Sequence, residues 1–246
     1  MRFYKKERII ISLGGSLLVP DSIDAEFVKA FKNFIVRYIK KGYSFILVIG
    51  GGKTARHYID AATKVTPITD EDKDWLGIHA TRINAHLLRT IFKKYAYPVV
   101  LDNPLKKIGG NHFRLFVASG WRPGWSTDYV AVLLAERFKA DKIIIASNID
   151  YVYEKDVAKY KTAKPIKELS WKKYRGLISS KWKPGMRSPM DPVAARLAAK
   201  LKMEVIILRG TDLKNLKDAL TGKKFRGTVI KSQTDGKKNH RPPFSS

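Results

Sequence analysis

The chain has 246 residues, with 48 Lys and Arg against 22 Asp and Glu, a formal net charge of +26, 44% hydrophobic residues and no Cys. That apolar fraction excludes wholesale disorder, and a chain this long buries roughly 70–75% of its unfolded surface without staples. Lack of Cys excludes disulfides, thiolate metal sites and cysteine nucleophiles. The charge points either to an anionic partner or to a solvated cationic surface. The apolar run Ile9–Leu13 is too short for a signal peptide, and no stretch approaches the roughly 18 residues of a membrane span, so a soluble, cytoplasmic protein is expected.

Residues 8–13 read as a buried strand ended by Gly14 and Gly15. The stretch Asp24 to Lys41 places Phe27, Val28, Phe31, Phe34, Ile35, Tyr38 and Ile39 on one helical face, with Gly42 as its stop. A second buried strand, Phe45–Ile49, runs into Gly50-Gly51-Gly52 and a helix from about Lys53. Thr66 to Asp72 is polar and reads as turns, followed by a helix from about Lys73 to Lys94 and strands at Pro98–Leu101 and Phe113–Ala118. A Pro- and Gly-punctuated loop, Gly120 to Thr127, precedes a helix Asp128–Lys139 capped by Ser126 or Thr127, then a strand Lys142–Ala146.

Lys161 to Met190 holds nine basic residues and one acid with Trp171, Tyr174 and Trp182 interleaved, read as a solvated loop. Asp191 caps a helix with Pro192 at its first position, running to about Lys202. Strand Glu204–Leu208, a Thr211-capped helix ending at Gly222 and strand Thr228–Lys231 complete the pattern, and residues 232–246 read as a disordered basic tail. Buried strands alternating with amphipathic helices predict an α/β fold, a three-layer αβα sandwich with a central, mostly parallel sheet. Ligands of such sheets bind at the carboxyl ends of the strands, where both glycine clusters lie.

Glycines at a strand–helix junction let backbone N–H groups approach a phosphate, and the helix N-terminus adds a positive dipole end. Closing a tight turn is the alternative use of each cluster. Two clusters in successive units suit a phosphate donor and a phosphate acceptor. Leu47 occupies the position where a Walker A loop needs Gly, so this is not a P-loop. Gly50-x-Gly52-x-x-Ala55 satisfies a dinucleotide fingerprint, but the acids Asp70, Glu71 and Asp72 fall in a polar turn rather than at a strand end. No hydrolytic Ser or His motif occurs, and His57, His79, His86, His112 and His240 lack metal-ligand spacing.

Six motifs occur in order: Ile11-Ser12-Leu13-Gly14-Gly15-Ser16, Gly50-Gly51-Gly52-Lys53-Thr54-Ala55-Arg56, Asp74-Trp75-Leu76-Gly77, Pro123-Gly124-Trp125-Ser126-Thr127-Asp128, Ser147–Asp156 and Met190-Asp191-Pro192. Together they resemble the amino-acid kinase superfamily and, within it, the UMP kinases of the archaeal type, over about residues 8 to 231. The resemblance implies transfer of the ATP γ-phosphoryl group to UMP, with ATP and Mg²⁺, in a homo-oligomer, by analogy a hexamer. It implies one domain over 1–231, with an acceptor lobe to about residue 139 and an ATP lobe from about residue 140. Ser12, Leu13, Gly14, Gly15, Ser16, Gly52, Arg56, Ser147, Asn148, Tyr153 and Asp156 would then contact ATP. Gly51, Asp74 and the loop Trp121, Arg122, Pro123, Gly124, Trp125, Ser126 and Thr127 would contact UMP. Catalytic roles would fall to Arg56, Asp128 and Ser12.

The chain departs from this pattern at Ser12, where many relatives carry Lys, and at Tyr151 and Val157, where Gly and Pro are usual; at 148, where relatives of the bacterial type often carry a second Lys, it has Asn148, as archaeal-type sequences do. Arg56 is the first candidate for the missing cation, with Lys53, Lys181, Lys183 and Arg187 after it. Two other readings stay open: a nucleotide-binding homologue with another acceptor or without catalysis, and a nucleic-acid binder using the aromatic-basic run.

Overall fold

The computed structural model describes residues 8–109, 112–140, 142–155, 157, 159–179, 181 and 188–232. The expected tail beyond residue 232, and Asp156, Trp182, Lys183 and Arg187, lie outside the described residues. The first strand, β1 (Arg8–Leu13), runs into a single helical turn, α1 (Gly15–Leu18), and then α2 (Ala25–Lys40). Next come β2 (Ser44–Ile49), α3 (Gly52–Val65), α4 (Asp70–Ile91), β3 (Leu115–Ala118) and α5 (Thr127–Phe138). The second half holds β4 (Lys142–Ser147), a small hairpin of β5 (Val152–Tyr153) and β6 (Pro165–Ile166), β7 (Glu168–Ser170) and α6 (Trp171–Leu177). It closes with α7 (Pro192–Lys200), β8 (Glu204–Arg209), α8 (Leu213–Leu220) and β9 (Thr228–Lys231).

Seven strands form one sheet in the order β3-β2-β1-β4-β8-β9-β7. All neighbours pair in parallel except β8 and β9. Side chains alternate across it, as the two-residue period of a strand demands. Ile11, Leu13, Phe45, Leu47 and Ile144 point to the face covered by α2, α4 and α8. Ile10, Ile46, Val48, Ile143 and Ile145 point to the face covered by α5, α6 and α7. This is the expected three-layer sandwich.

Four local expectations need correction. The polar stretch before α4 is its start: Thr69 and Asp72 form a reciprocal capping box, Asp72 N–H donating to the Thr69 hydroxyl at 3.1 Å and Thr69 N–H to Asp72 at 2.9 Å, so the helix begins at Asp70. Pro98–Leu101 makes only an isolated bridge, Leu101 to Ala118, and is no strand. The cap of α8 is Asp212, whose side chain accepts from Asn215 N–H at 2.9 Å, rather than Thr211. The basic run is not one solvated loop: it contains β7 and α6, and Trp171 and Tyr174 are buried, with the indole donating to Met203 O at 3.0 Å and the phenol to Met190 O at 2.7 Å. Those two rings are core and offer no face to a nucleic acid.

Candidate active site

The parallel strands deliver both glycine clusters to one edge. Gly14 N–H donates to Ala146 O at 2.8 Å and Gly50 N–H to Leu13 O at 3.0 Å, so the junctions after β1, β2 and β4 are tied together. A Cβ on Gly15 would lie 2.1 Å from Gly52 N, and one on Gly52 would lie 2.3 Å from Gly15 O. Gly52 also has φ of +65°, a region that favours glycine. The glycines therefore do close packing between the two junctions whatever else they bind. Asn84, a buried polar residue on α4, donates to Gly50 O at 2.9 Å and Gly51 O at 3.1 Å and fixes the second cluster from behind. Ser16 lies in α1, and Lys53 N–H donates to Val19 O at 3.1 Å. The Lys53 ammonium is paired with Asp21.

Beside this edge the first turns of α5 and α7 meet. Ser126 caps α5, accepting from Tyr129 N–H at 3.1 Å, and its hydroxyl donates to Asp191. Asp191 caps α7, accepting from Val193 N–H at 2.7 Å and Ala194 N–H at 3.0 Å. Asp128, one residue into α5, accepts from the Ser12 hydroxyl at 2.9 Å. Burial and the nearby Asp191 carboxylate push the Asp128 carboxyl up to about 7; hydrogen bonds from Ser12 and from the Asp191 backbone oppose the rise. Ser12 is 3% exposed and donates its hydrogen bond to Asp128, so the position read as a phosphate contact is first a partner of the carboxyl.

The Trp121–Thr127 loop faces α4. Gly124 N–H donates to the Asp74 carboxylate at 2.7 Å, and Gly124 has φ of +82°. Desolvation raises the Asp74 carboxyl above the ordinary range against that bond. Gly120 N–H donates to the Thr81 hydroxyl at 2.7 Å, anchoring the start of the loop. Trp121 and Trp125 meet edge to face at 4.7 Å, Trp125 lies 4.4 Å from Tyr129, and the Arg122 guanidinium sits 4.5 Å and 4.0 Å from the two indoles. The indoles are half-buried against one another, and the Arg122 cation is exposed at the rim. Pro123 and Thr127 are also partly exposed in this loop.

On the other flank, Ser147 ends β4, its carbonyl accepting from Gly210 N–H at 2.8 Å and its hydroxyl from Ile149 N–H at 3.4 Å. Asn148 is exposed. Asp150 takes a two-pronged bond from Arg209 at 3.0 and 2.9 Å, which lowers its carboxyl and fixes the approach to Tyr151 and Tyr153. Leu13 is buried, whereas Arg56 is exposed on α3. The junctions after β1, β2 and β4 thus stand together, Asp74 meets the 121–127 loop, and Arg56 lies on α3, which starts at Gly52.

Sequence reasoning missed Asn84 and Thr81 as parts of this arrangement. Asp191 was read as a helix cap and as part of a family motif, but its contact with Ser126, 65 residues away, was not. Asn84 and Thr81 carried a weak signal, polar residues on the buried face of a helix.

Among the described residues no group of three or more His, Asp or Glu stands ready to hold a metal, and no helix is long and apolar enough to cross a membrane.

The profile of the amino acid kinase family matches residues 7–111 and 115–209. The chain is 35% identical over 232 residues to a uridylate kinase of Thermococcus sibiricus, covering 91% of this chain and 99% of that one. A uridylate kinase of Methanocaldococcus jannaschii is likewise 35% identical, with 91% and 99% covered. The uridylate kinase structure from Archaeoglobus fulgidus superimposes with a TM-score of 0.76 at 31% identity, over 90% of this chain and 99% of that one. The UMP kinase structure from Bacillus anthracis shares the fold, with a TM-score of 0.75 at 20% identity over 93% and 97%. Ordered glycine junctions, a carboxyl beneath them and similarity along almost the whole length lead to one conclusion: the chain belongs to the amino acid kinase family.

Proposed function

We propose that the protein is a UMP kinase, an enzyme that transfers the ATP γ-phosphoryl group to UMP. The observation that carries this is the likeness to uridylate kinases over 91% of the chain, supported by the close approach of the two glycine junctions. ATP would lie over Ser12–Ser16, Gly52, Ser147, Asn148 and Tyr153, with Asp156 as a further contact, and UMP between Gly51, Asp74 and residues 121–127. The lobe to about residue 139 would hold the acceptor, and the lobe from about residue 140 the donor.

Phosphoryl transfer needs positioning and electrostatic stabilisation more than covalent chemistry. Backbone N–H groups of the glycine junctions suit phosphate oxygens. Asp74 already holds the acceptor loop through Gly124, and its second oxygen suits a ribose hydroxyl hydrogen. Arg56 offers a planar fork to phosphate oxygens. The donor set fits Mg²⁺ as a companion of the ATP phosphates rather than a caged ion, since such sites need only one or two carboxylates. Asp128 and Ser12 would offer it hard oxygen atoms, and the ion would neutralise phosphate charge. A homo-oligomer, a hexamer by analogy, and a cytoplasmic location belong to the same reading.

The test is UDP formation from UMP and MgATP by the purified protein, with CMP, AMP and GMP as alternative acceptors. Preference for UMP supports the reading; no transfer to any of the four would remove it.

A further inference from the structure

A groove of about 630 Å³ opens between α8 and the segment that leads into β9. Its size is that of a cavity for a single small ligand, roughly 300–1,000 Å³. Lys167, Lys214, Lys223 and Lys224 line it, all exposed and none in an ion pair with a described residue. Its two carboxylates are already engaged. Asp212 caps α8 and accepts from Arg226 at 2.6 Å, and Asp218 pairs with Lys217 at 3.5 Å. The partly exposed rings of Tyr151 and Phe225 complete the walls.

The frame is rigid. Asn215 is 8% exposed and makes two bonds to the Arg226 backbone, donating to its carbonyl at 2.7 Å and accepting from its N–H at 2.7 Å. The backbone of Arg226 and of the lysines before it is therefore tied to α8. Four unpaired ammonium groups around one cavity repel one another, and a polyanion relieves that repulsion. Aromatic walls beside the cations add a surface on which a planar base stacks.

We propose that this groove is a second nucleotide site, which takes a free nucleoside triphosphate with its phosphate chain on the lysines and its base against Tyr151 or Phe225. Several cations match a polyphosphate better than a single phosphate. A nucleic acid fits less well: it needs a continuing row of stacking faces, and Trp171 and Tyr174 of the basic run are buried in the core. The groove adjoins the proposed donor site, because Tyr151 and Tyr153 meet edge to face at 6.4 Å. The experiment must therefore separate the two.

The whole chain is titrated by calorimetry with β,γ-methylene-ATP, alongside a variant carrying Lys214→Ala, Lys223→Ala and Lys224→Ala. These side chains are exposed and outside the proposed transfer machinery, so the fold is retained. Two binding events per wild-type chain are expected, with the second weakened at least about tenfold in the variant and kcat and KM for ATP unchanged, the scale of losing charge-assisted phosphate contacts. Binding in wild type that the triple variant retains in full, whether one event or two, overturns the proposal. A raised KM for ATP in the variant also overturns it, because the groove then belongs to the donor site. Displacement of the second ligand by an oligouridylate that binds more tightly overturns it in favour of nucleic acid. Calorimetry needs no transfer, so failure of the kinase reading leaves this test standing.

Discussion

The Ser12 hydroxyl donates to the Asp128 carboxyl at 2.9 Å, joining the fifth residue of β1 to the second residue of α5 across 116 positions of sequence. The bond places a neutral donor beneath the glycine junctions, and it restrains the rise of the Asp128 pKa. Ser12→Ala is expected to destabilise the protein by about 1–2 kcal/mol, a fall of several degrees in Tm, with a larger loss at pH 8 than at pH 5. Ser12→Lys puts a cation against the same carboxyl and should retain or raise kcat. Thermal melts at both pH values and steady-state rates with saturating UMP and MgATP check the pair; a dead but folded Ser12→Lys would contradict it.

Asp128 sets a pH dependence of its own. Its folded carboxyl is raised to about 7 from 3.8, so the native state holds a proton there that the unfolded chain has released. The stabilisation is complete below about pH 3.8 and is lost as pH rises through about 7. Asp128→Asn keeps an oxygen to accept from Ser12 and removes the charge. Relative to wild type, the variant should gain roughly 1–3 kcal/mol between pH 5 and pH 8, read as the difference between two Tm curves. Taking the difference cancels the lowered carboxyls of Asp72, Asp150 and Asp212, which act in the opposite direction and are shared by both proteins. A difference that does not change with pH would show the carboxyl ionised throughout.

Asp74 holds Gly124 and would also meet the acceptor ribose. Asp74→Asn leaves an oxygen for the Gly124 N–H but removes the charge. UMP affinity is expected to fall about tenfold or more, with ATP affinity unchanged, because a hydrogen bond to a charged group contributes roughly 1.5–3 kcal/mol. Equal weakening of both ligands, measured by calorimetry, would assign Asp74 to loop structure alone.

Arg56 is exposed on α3 with no ion pair to a described residue. Arg56→Ala should leave Tm within about one degree and lower kcat at least about a hundredfold, the effect of losing one preplaced electrostatic donor. A near-normal kcat would move the search for the transfer cation to Lys181, Lys183 and Arg187.

The layers were legible because β1, β2, β4 and β8 are continuous apolar runs and α2 repeats its apolar residues at helical spacing. The errors have physical causes. Thr69 to Asp72 holds turn residues that also make a capping box, and only the helix beyond distinguishes the uses. Basic residues around Trp171 and Tyr174 hid two core rings, because each flanking Lys points to solvent. At the site, glycine clusters and Asp74 were readable as motifs. The contact of Ser126 with Asp191 was not, since no local pattern encodes a meeting of two helix N-termini. Nor does composition show that Gly15 and Gly52 exclude each other's side chains.

None of the residues of α3 is fully buried, and the helix rests on α4 and α1 rather than on the sheet. Its free energy of local opening is therefore drawn from its contacts with α4 and α1 and its own backbone bonds, not from the hydrophobic core. A turn of α3 is expected to open at lower cost than β1 or β2, and its amides to exchange with solvent sooner than those of the strands. Arg56 lies on α3, so any role it has in transfer would depend on the fraction of time that α3 is closed.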